Sequence, residues 1–239
     1  MLASRLPVLL ATLAIALPTA PANVSGSSAP LLDEVTNHLS EAQKCFDKGT
    51  FELAAAHADM VLVDQDLSVF VKFQNVPANV QPNALKAMDQ AFKNWEEALK
   101  GSVKFTRSTD EEAADVVIRF KPDVRMGREP VAGFANWKRV IDKDGEGKIV
   151  SKFTSDLQIR TMTLNFKSMP MESMRHELMH EIGHVLGLED TDSTGAIMGP
   201  LDMNKPISRP LPHEVKAVWD IRVQASKIRQ EALAQQIAK

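Results

Sequence analysis

The run His176-Glu177-Leu178-Met179-His180-Glu181-Ile182-Gly183-His184-Val185-Leu186-Gly187-Leu188-Glu189-Asp190 constrains this chain more than any other feature. Histidines four apart project from one face of a helix, about 5–6 Å apart at Cβ, close enough to share a metal ion. A glutamate directly after the first histidine falls beside that metal and can act on its water. Two overlapping HExxH registers compete. His176, Glu177 and His180 form the first, whose third-ligand position is Leu186, a side chain that cannot bind metal. His180, Glu181 and His184 form the second; Gly187 follows three residues on, and Asp190 stands at the third position. A glycine there can end the helix and turn the chain back. The second register therefore offers three protein ligands, His180, His184 and Asp190, and leaves the open position that catalysis needs. Glu189 and Asp192 are competing carboxylates for the third place. His176 reads as a first-turn helix residue or a support for the ligands, and His38, His57 and His213 as ordinary surface or boundary histidines.

Composition narrows what such a site serves. The hydrophobic fraction of 44% and charged fraction of 25% are ordinary for a globular protein with a real core. The net charge of −3 gives no footprint for nucleic acid. The single cysteine, Cys45, excludes an internal disulfide and any Cys₂ or Cys₄ zinc site. Residues 1–22 read as an export signal: a positive start at Arg5, an apolar run Leu6 to Leu17, and small residues at Ala20-Pro21-Ala22 for cleavage. About twelve apolar residues are too few to span a bilayer, so a secreted, extracellular or periplasmic protein without a stable membrane span is expected.

The chain then divides. Residues 23–65 read as a Ser/Gly/Pro-rich linker and a helical hairpin, Leu31 to Asp47 and Phe51 to Val63, around Lys48-Gly49-Thr50. The hairpin resembles one tetratricopeptide-type repeat, but no second copy follows. Residues 66–225 alternate strand and helix patterns. Strands are expected from Ser68, over Val103 to Thr106, Asp115 to Phe120, Val131 to Ile141, Ile149 to Phe153 and Leu157 to Asn165. Helices are expected over Asn83 to Leu99, Met171 to Leu188 and from Pro212 to at least Arg222, with residues 226–239 a helical tail. Asp142 to Gly147 reads as a turn, since Phe153 stands where a calcium loop needs its glutamate.

These residues resemble the metzincin zinc endopeptidases, and among them the matrixins. His180 to Leu188 follows the matrixin helix, and Ala196-Ile197-Met198-Gly199-Pro200 resembles the Met-turn beneath the metal. Asn83 to Trp95, Val103 to Arg107, Ala114 to Phe120 and Leu211 to Arg222 resemble the family's other elements. The resemblance implies an α+β, metzincin-like catalytic domain with a twisted mixed sheet, active-site helix and Met-turn, preceded by the short helical hairpin. It implies a zinc-dependent endopeptidase with one catalytic Zn²⁺, Glu181 as general base, and a protein or peptide substrate extended along an edge strand at Val131 to Trp137. Several positions depart from the family. Asp190 stands where most matrixins have histidine, Gly199 and Asp202 stand for tyrosines, and neither the cysteine switch nor the structural zinc and calcium loop is present, so no structural calcium is expected. Two other readings compete: a non-peptidase binding protein with a structural metal site, and a peptidase held latent by its hairpin.

Overall fold

The computed structural model describes residues 28–63 and 66–237; the expected signal segment lies outside them. The hairpin forms as α1 (Asp33–Asp47) and α2 (Phe51–Leu62), joined at Gly49 in the left-handed region. Acidic Asp33 and Glu34 occupy the first turn of α1, where the helix dipole favours them. The sheet and its helices follow as β1 (Asp66–Phe73), α3 (Gln81–Ala98), β2 (Lys104–Arg107), β3 (Val116–Lys121), β4 (Val124–Met126), β5 (Glu129–Val131), β6 (Gly133–Lys143), β7 (Ile149–Arg160), α4 (Met171–Val185) and α5 (Pro212–Ile237).

The sheet has order β2-β1-β3-β7-β6. Its first four strands are parallel, and β6 pairs antiparallel with β7, leaving β6 at the edge. Alternation decides which face is buried: Val116, Ile118 and Phe120 point into the core while Arg119 and Lys121 point out. Against the core face lie α3 and α4. The α3 stripe Ala84, Met88, Ala91, Phe92 and Trp95 recurs at three and four, as an amphipathic helix requires. The Trp95 indole N–H donates to the Met179 carbonyl at 3.0 Å, tying α3 to α4 inside the core.

A second apolar core joins α1, α2 and α5 through Val35, Ala54, Ala58, Val61, Ile221, Ala225 and Ile228. Alanines on α2 let α5 approach closely, and Arg229 pairs with Asp59 across that seam. The segment expected as a tail after residue 225 continues α5 without a break, with Ala225, Ile228 and Ala232 buried at helical spacing. Cys45 is half-buried beside this core.

The mixed α+β class is as expected. Two details differ. The strands expected at Ile149 to Phe153 and Leu157 to Asn165 are one strand that ends at Arg160, because Ser155 keeps the inward alternation and its hydroxyl donates to the Asn136 carbonyl. The ribbon of β4 and β5, two three-residue strands, was not legible, and it takes Val131, which was expected to begin the next strand; that strand begins at Gly133. The turn at Asp142 to Gly147 closes on itself: Asp144 Oδ1 accepts from the amides of Glu146 and Lys148, both at 2.9 Å.

Candidate metal centre

The helix α4 runs through the core with nearly all its side chains buried, polar ones included. Its end explains how a carboxylate returns to the histidine face. Gly187 takes φ +98°, its amide donates to the His184 carbonyl at 3.0 Å, and the Leu188 amide donates to Gly183 at 2.9 Å. This paired closure is the Schellman arrangement, which a glycine accommodates without steric cost. The reversed chain brings Asp190 Oδ1 to 3.2 Å from His180 Nε2 and 3.4 Å from His184 Nε2.

The donor set fits a metal ion. One atom each from His180, His184 and Asp190 lies within 4.8 Å of the others, the one such group among the described residues. His180 Nδ1–H donates to the Ile197 carbonyl and His184 Nδ1–H to the Leu188 carbonyl, each at 2.9 Å. Those bonds occupy Nδ1–H on both rings and turn both Nε2 atoms towards Asp190, leaving Nε2 as the nitrogen free to exchange its proton for a metal. Charge points the same way. Burial would lower the His180 pKa, yet the bond to Asp190 and the charges of Glu177 and Glu181 outweigh it and raise it to about 9. Hydrogen bonds from His180 and His184 hold Asp190 well below the usual carboxylate range. A divalent cation at the Nε2 atoms would supply the positive charge this arrangement calls for.

Glu181 and Glu177 form a hydrogen-bonded carboxyl pair, both raised in pKa, first by burial. They lie against Gly133 at the start of β6, where an added Cβ would sit 2.5 Å from Glu181 Oε1 and 2.7 Å from Glu177 Oε1. Gly133→Ala is therefore expected to displace the pair and, with Glu181 as the general base the sequence leads one to expect, to reduce kcat about 100-fold, a loss that a ~1 Å misplacement can cause. Steady-state peptide hydrolysis checks this, with KM changing little.

The first register comes apart in three dimensions. Leu186 is buried in the main core, and His176 Nδ1 accepts from the Ile207 amide at 2.8 Å. Burial, then the charge of His180, lowers the His176 pKa from 6.5 to about 4. The unfolded chain binds this proton below about pH 6.5 while the folded chain does not. Stability therefore falls as pH drops from about 6.5 towards 4. His176→Asn keeps an acceptor for Ile207 and removes that titration. Its melting temperature is expected to fall less between pH 7 and pH 5 than that of the wild type.

Below the histidines, Met198 is buried with its sulfur against Gly183; a Cβ on Gly183 would meet it at 2.3 Å. The turn is held by Glu214, fully buried, whose carboxylate accepts the Met198 amide at 2.9 Å and the Leu211 amide at 2.6 Å. The turn itself requires Gly199, since a Cβ there would lie 1.8 Å from the Ser193 carbonyl oxygen. Trp137, the last residue of the expected substrate strand, also borders the site, as do two residues that the sequence did not single out, Glu34 and Arg139. Trp137 stacks on the His184 ring at 5.7 Å between centroids, and Glu34 and Arg139 support Trp137 and the end of α4.

A mixed sheet whose antiparallel edge strand borders a buried, histidine-bearing helix, above a methionine turn, is the metzincin arrangement of metallopeptidases. Within that class the chain belongs to the matrixin family, whose model matches residues 66–214, and it is a zinc metallopeptidase acting on proteins or peptides. Among solved structures it is similar to archaemetzincin from Methanopyrus kandleri, at 14% identity and a TM-score of 0.40, covering 69% of this chain and 98% of that one. No curated protein matches the chain by sequence. Among the described residues, no helix is long and apolar enough to cross a membrane.

Proposed function

We propose that this protein is an exported endopeptidase in which His180, His184 and Asp190 hold one zinc ion and Glu181 is the general base. The observation that carries the reading is the convergence of the two Nε2 atoms and Asp190 Oδ1, with both Nδ1 atoms tied to backbone carbonyls. When bound, zinc supplies a Lewis acid that polarises a carbonyl and acidifies water towards pKa ~7.

The chain's own groups do the rest. Glu181, one helical position past His180 and 3% exposed, takes the proton of the attacking water on a carboxylate oxygen and returns it to the leaving amine nitrogen. Burial beside Glu177 raises its proton affinity, which suits a group that must hold that proton between the two steps. The free edge of β6 offers backbone donors and acceptors to an extended peptide, the mode by which a strand adds to a sheet. Asp190 is 67% exposed at its side chain, so among the described residues the metal face stays open to substrate.

The same reading assigns residues 1–22 to a cleaved signal, 23–65 to linker and hairpin, 66–225 to the catalytic domain and 226–239 to a helical tail. One zinc and no structural calcium are proposed. The test is casein hydrolysis by the purified protein with and without a chelator, followed by zinc restoration. Hydrolysis that is lost with the chelator and recovered with zinc is expected. A zinc-loaded protein that cleaves nothing would favour a structural metal in a binding protein. Amino-terminal sequencing of exported protein checks cleavage after Ala22.

A further inference from the structure

We propose that Glu34 of the N-terminal hairpin is a positioning residue for the metal centre, acting through Trp137 on His184 and through Arg139 on the end of α4. The hairpin is then a working part of the peptidase rather than a removable inhibitor. The inference rests on His184 and Asp190 being zinc ligands, as argued above.

The contacts form two routes to the same imidazole. In the first, Glu34 Oε2 accepts from the Trp137 indole at 2.7 Å, and the Trp137 ring lies nearly parallel to His184, tilted by 24°. An indole N–H fixed by a carboxylate sets the plane of the ring, and that plane bounds one face of His184. In the second, Glu34 Oε2 also accepts from Arg139 at 3.2 Å. The Arg139 side chain has no solvent exposure; it donates to the Met60 carbonyl of α2 and the Val185 carbonyl of α4, and lies over the Phe153 ring. A buried guanidinium needs a counter-charge, and Glu34 is the carboxylate paired with it.

The backbone beside Glu34 supports the same place. The Leu32 amide donates to the Gly187 carbonyl at 2.9 Å, and the Glu189 amide donates to the Pro30 carbonyl at 3.0 Å. Leu31 and Leu188 thus form a short antiparallel bridge, and Val35 fills the space next to Gly187. That bridge holds the turn between His184 and Asp190, including the Leu188 carbonyl that receives the His184 Nδ1–H. Both the face of His184 and its hydrogen-bond partner therefore lean on residues 30–35. These residues precede the matrixin match, which begins at residue 66. An outer partner that orients a metal-binding histidine ordinarily matters about 10–100-fold in affinity or activity.

The experiment uses the full mature chain with Glu34→Ala, Glu34→Gln and Trp137→Phe, and Glu41→Ala on the same helix as the control. Zinc affinity is read by competition with a chromogenic chelator, and geometry by the visible spectrum of the cobalt(II)-substituted protein. Glu34→Ala is expected to weaken zinc binding about 10–100-fold, lower kcat with KM little changed, and shift the cobalt bands. Glu34→Gln, which keeps an acceptor for the indole but removes the counter-charge of Arg139, is expected to recover only the part of the loss carried through Trp137. Trp137→Phe combined with Glu34→Ala is expected to add less than the sum of the two, because both act on one ring. Glu41→Ala is expected to match the wild type. A folded Glu34→Ala protein with wild-type zinc affinity, kcat and cobalt spectrum overturns the proposal. Should Glu34→Ala fail to fold, an unchanged cobalt spectrum in Trp137→Phe overturns it instead. His184→Ala separates the two readings, because retained zinc there defeats the ligand assignment itself.

Discussion

Glu181→Gln is expected to keep zinc bound at wild-type stoichiometry and to slow peptide hydrolysis by about 10²–10⁴-fold, the usual share of a general base. The substitution is nearly isosteric, so the contact with Glu177 and the packing against Gly133 survive while the proton-accepting oxygen is lost. Zinc content by metal analysis and single-turnover cleavage of a peptide read the two parts of the claim separately. Glu177 is the internal control. It is buried next to Glu181 and follows the histidine of the other register, so it is the obvious rival for the role. Glu177→Gln is expected to alter the pH dependence through the shared hydrogen bond but to cost less than Glu181→Gln. Near-normal turnover in Glu181→Gln with collapse in Glu177→Gln would move the base to Glu177.

The difference between those carboxylates marks how far sequence reasoning reaches. His180, Glu181, His184, Gly187 and Asp190 lie within eleven residues, and helix periodicity plus one glycine turn determine how their side chains converge. Local geometry of that kind is legible because no distant residue is needed to compute it. Gly133, Trp137, Arg139 and Glu34 reach the same site from 40 or more residues away, and only the sheet register and the packing of the hairpin bring them there. No spacing rule connects Glu34 to His184. Gly133 is a bare glycine in a strand, a pattern that signals a close approach without saying to what. Fold class and helix positions were readable because apolar periodicity is strong in α3 and β3. The misplaced break within β7 came from Thr154, Ser155 and Asp156, three polar residues whose alternation, not polarity, carries the strand. The length of α5 had a signal after all, in the Ala225, Ile228 and Ala232 stripe amid polar residues.

Asp190→Ala is expected to weaken zinc binding by more than the 10–100-fold that removing an outer partner causes, since it takes away one of three donors. Two neutral imidazoles would remain, without the carboxylate that offsets the ion's charge. The neighbouring acids provide the comparison. The Glu189 amide is tied to the Pro30 carbonyl, and neither Glu189 nor Asp192 joins His180 and His184 in the group of converging atoms. Glu189→Ala and Asp192→Ala are accordingly expected to bind zinc within about twofold of the wild type. Competition with a chromogenic chelator on all three variants checks this, and wild-type affinity in Asp190→Ala would remove Asp190 from the site. A longer donor gives a second readout. Asp190→His would keep three donors but raise the first-shell charge from +1 to +2, making metal-associated water more acidic. The acidic limb of the pH–rate profile should then move to lower pH, provided the turn after Gly187 admits the ring. The Asp190 side chain is 67% exposed, so the added atoms of the ring fall on the solvent side of the two imidazoles.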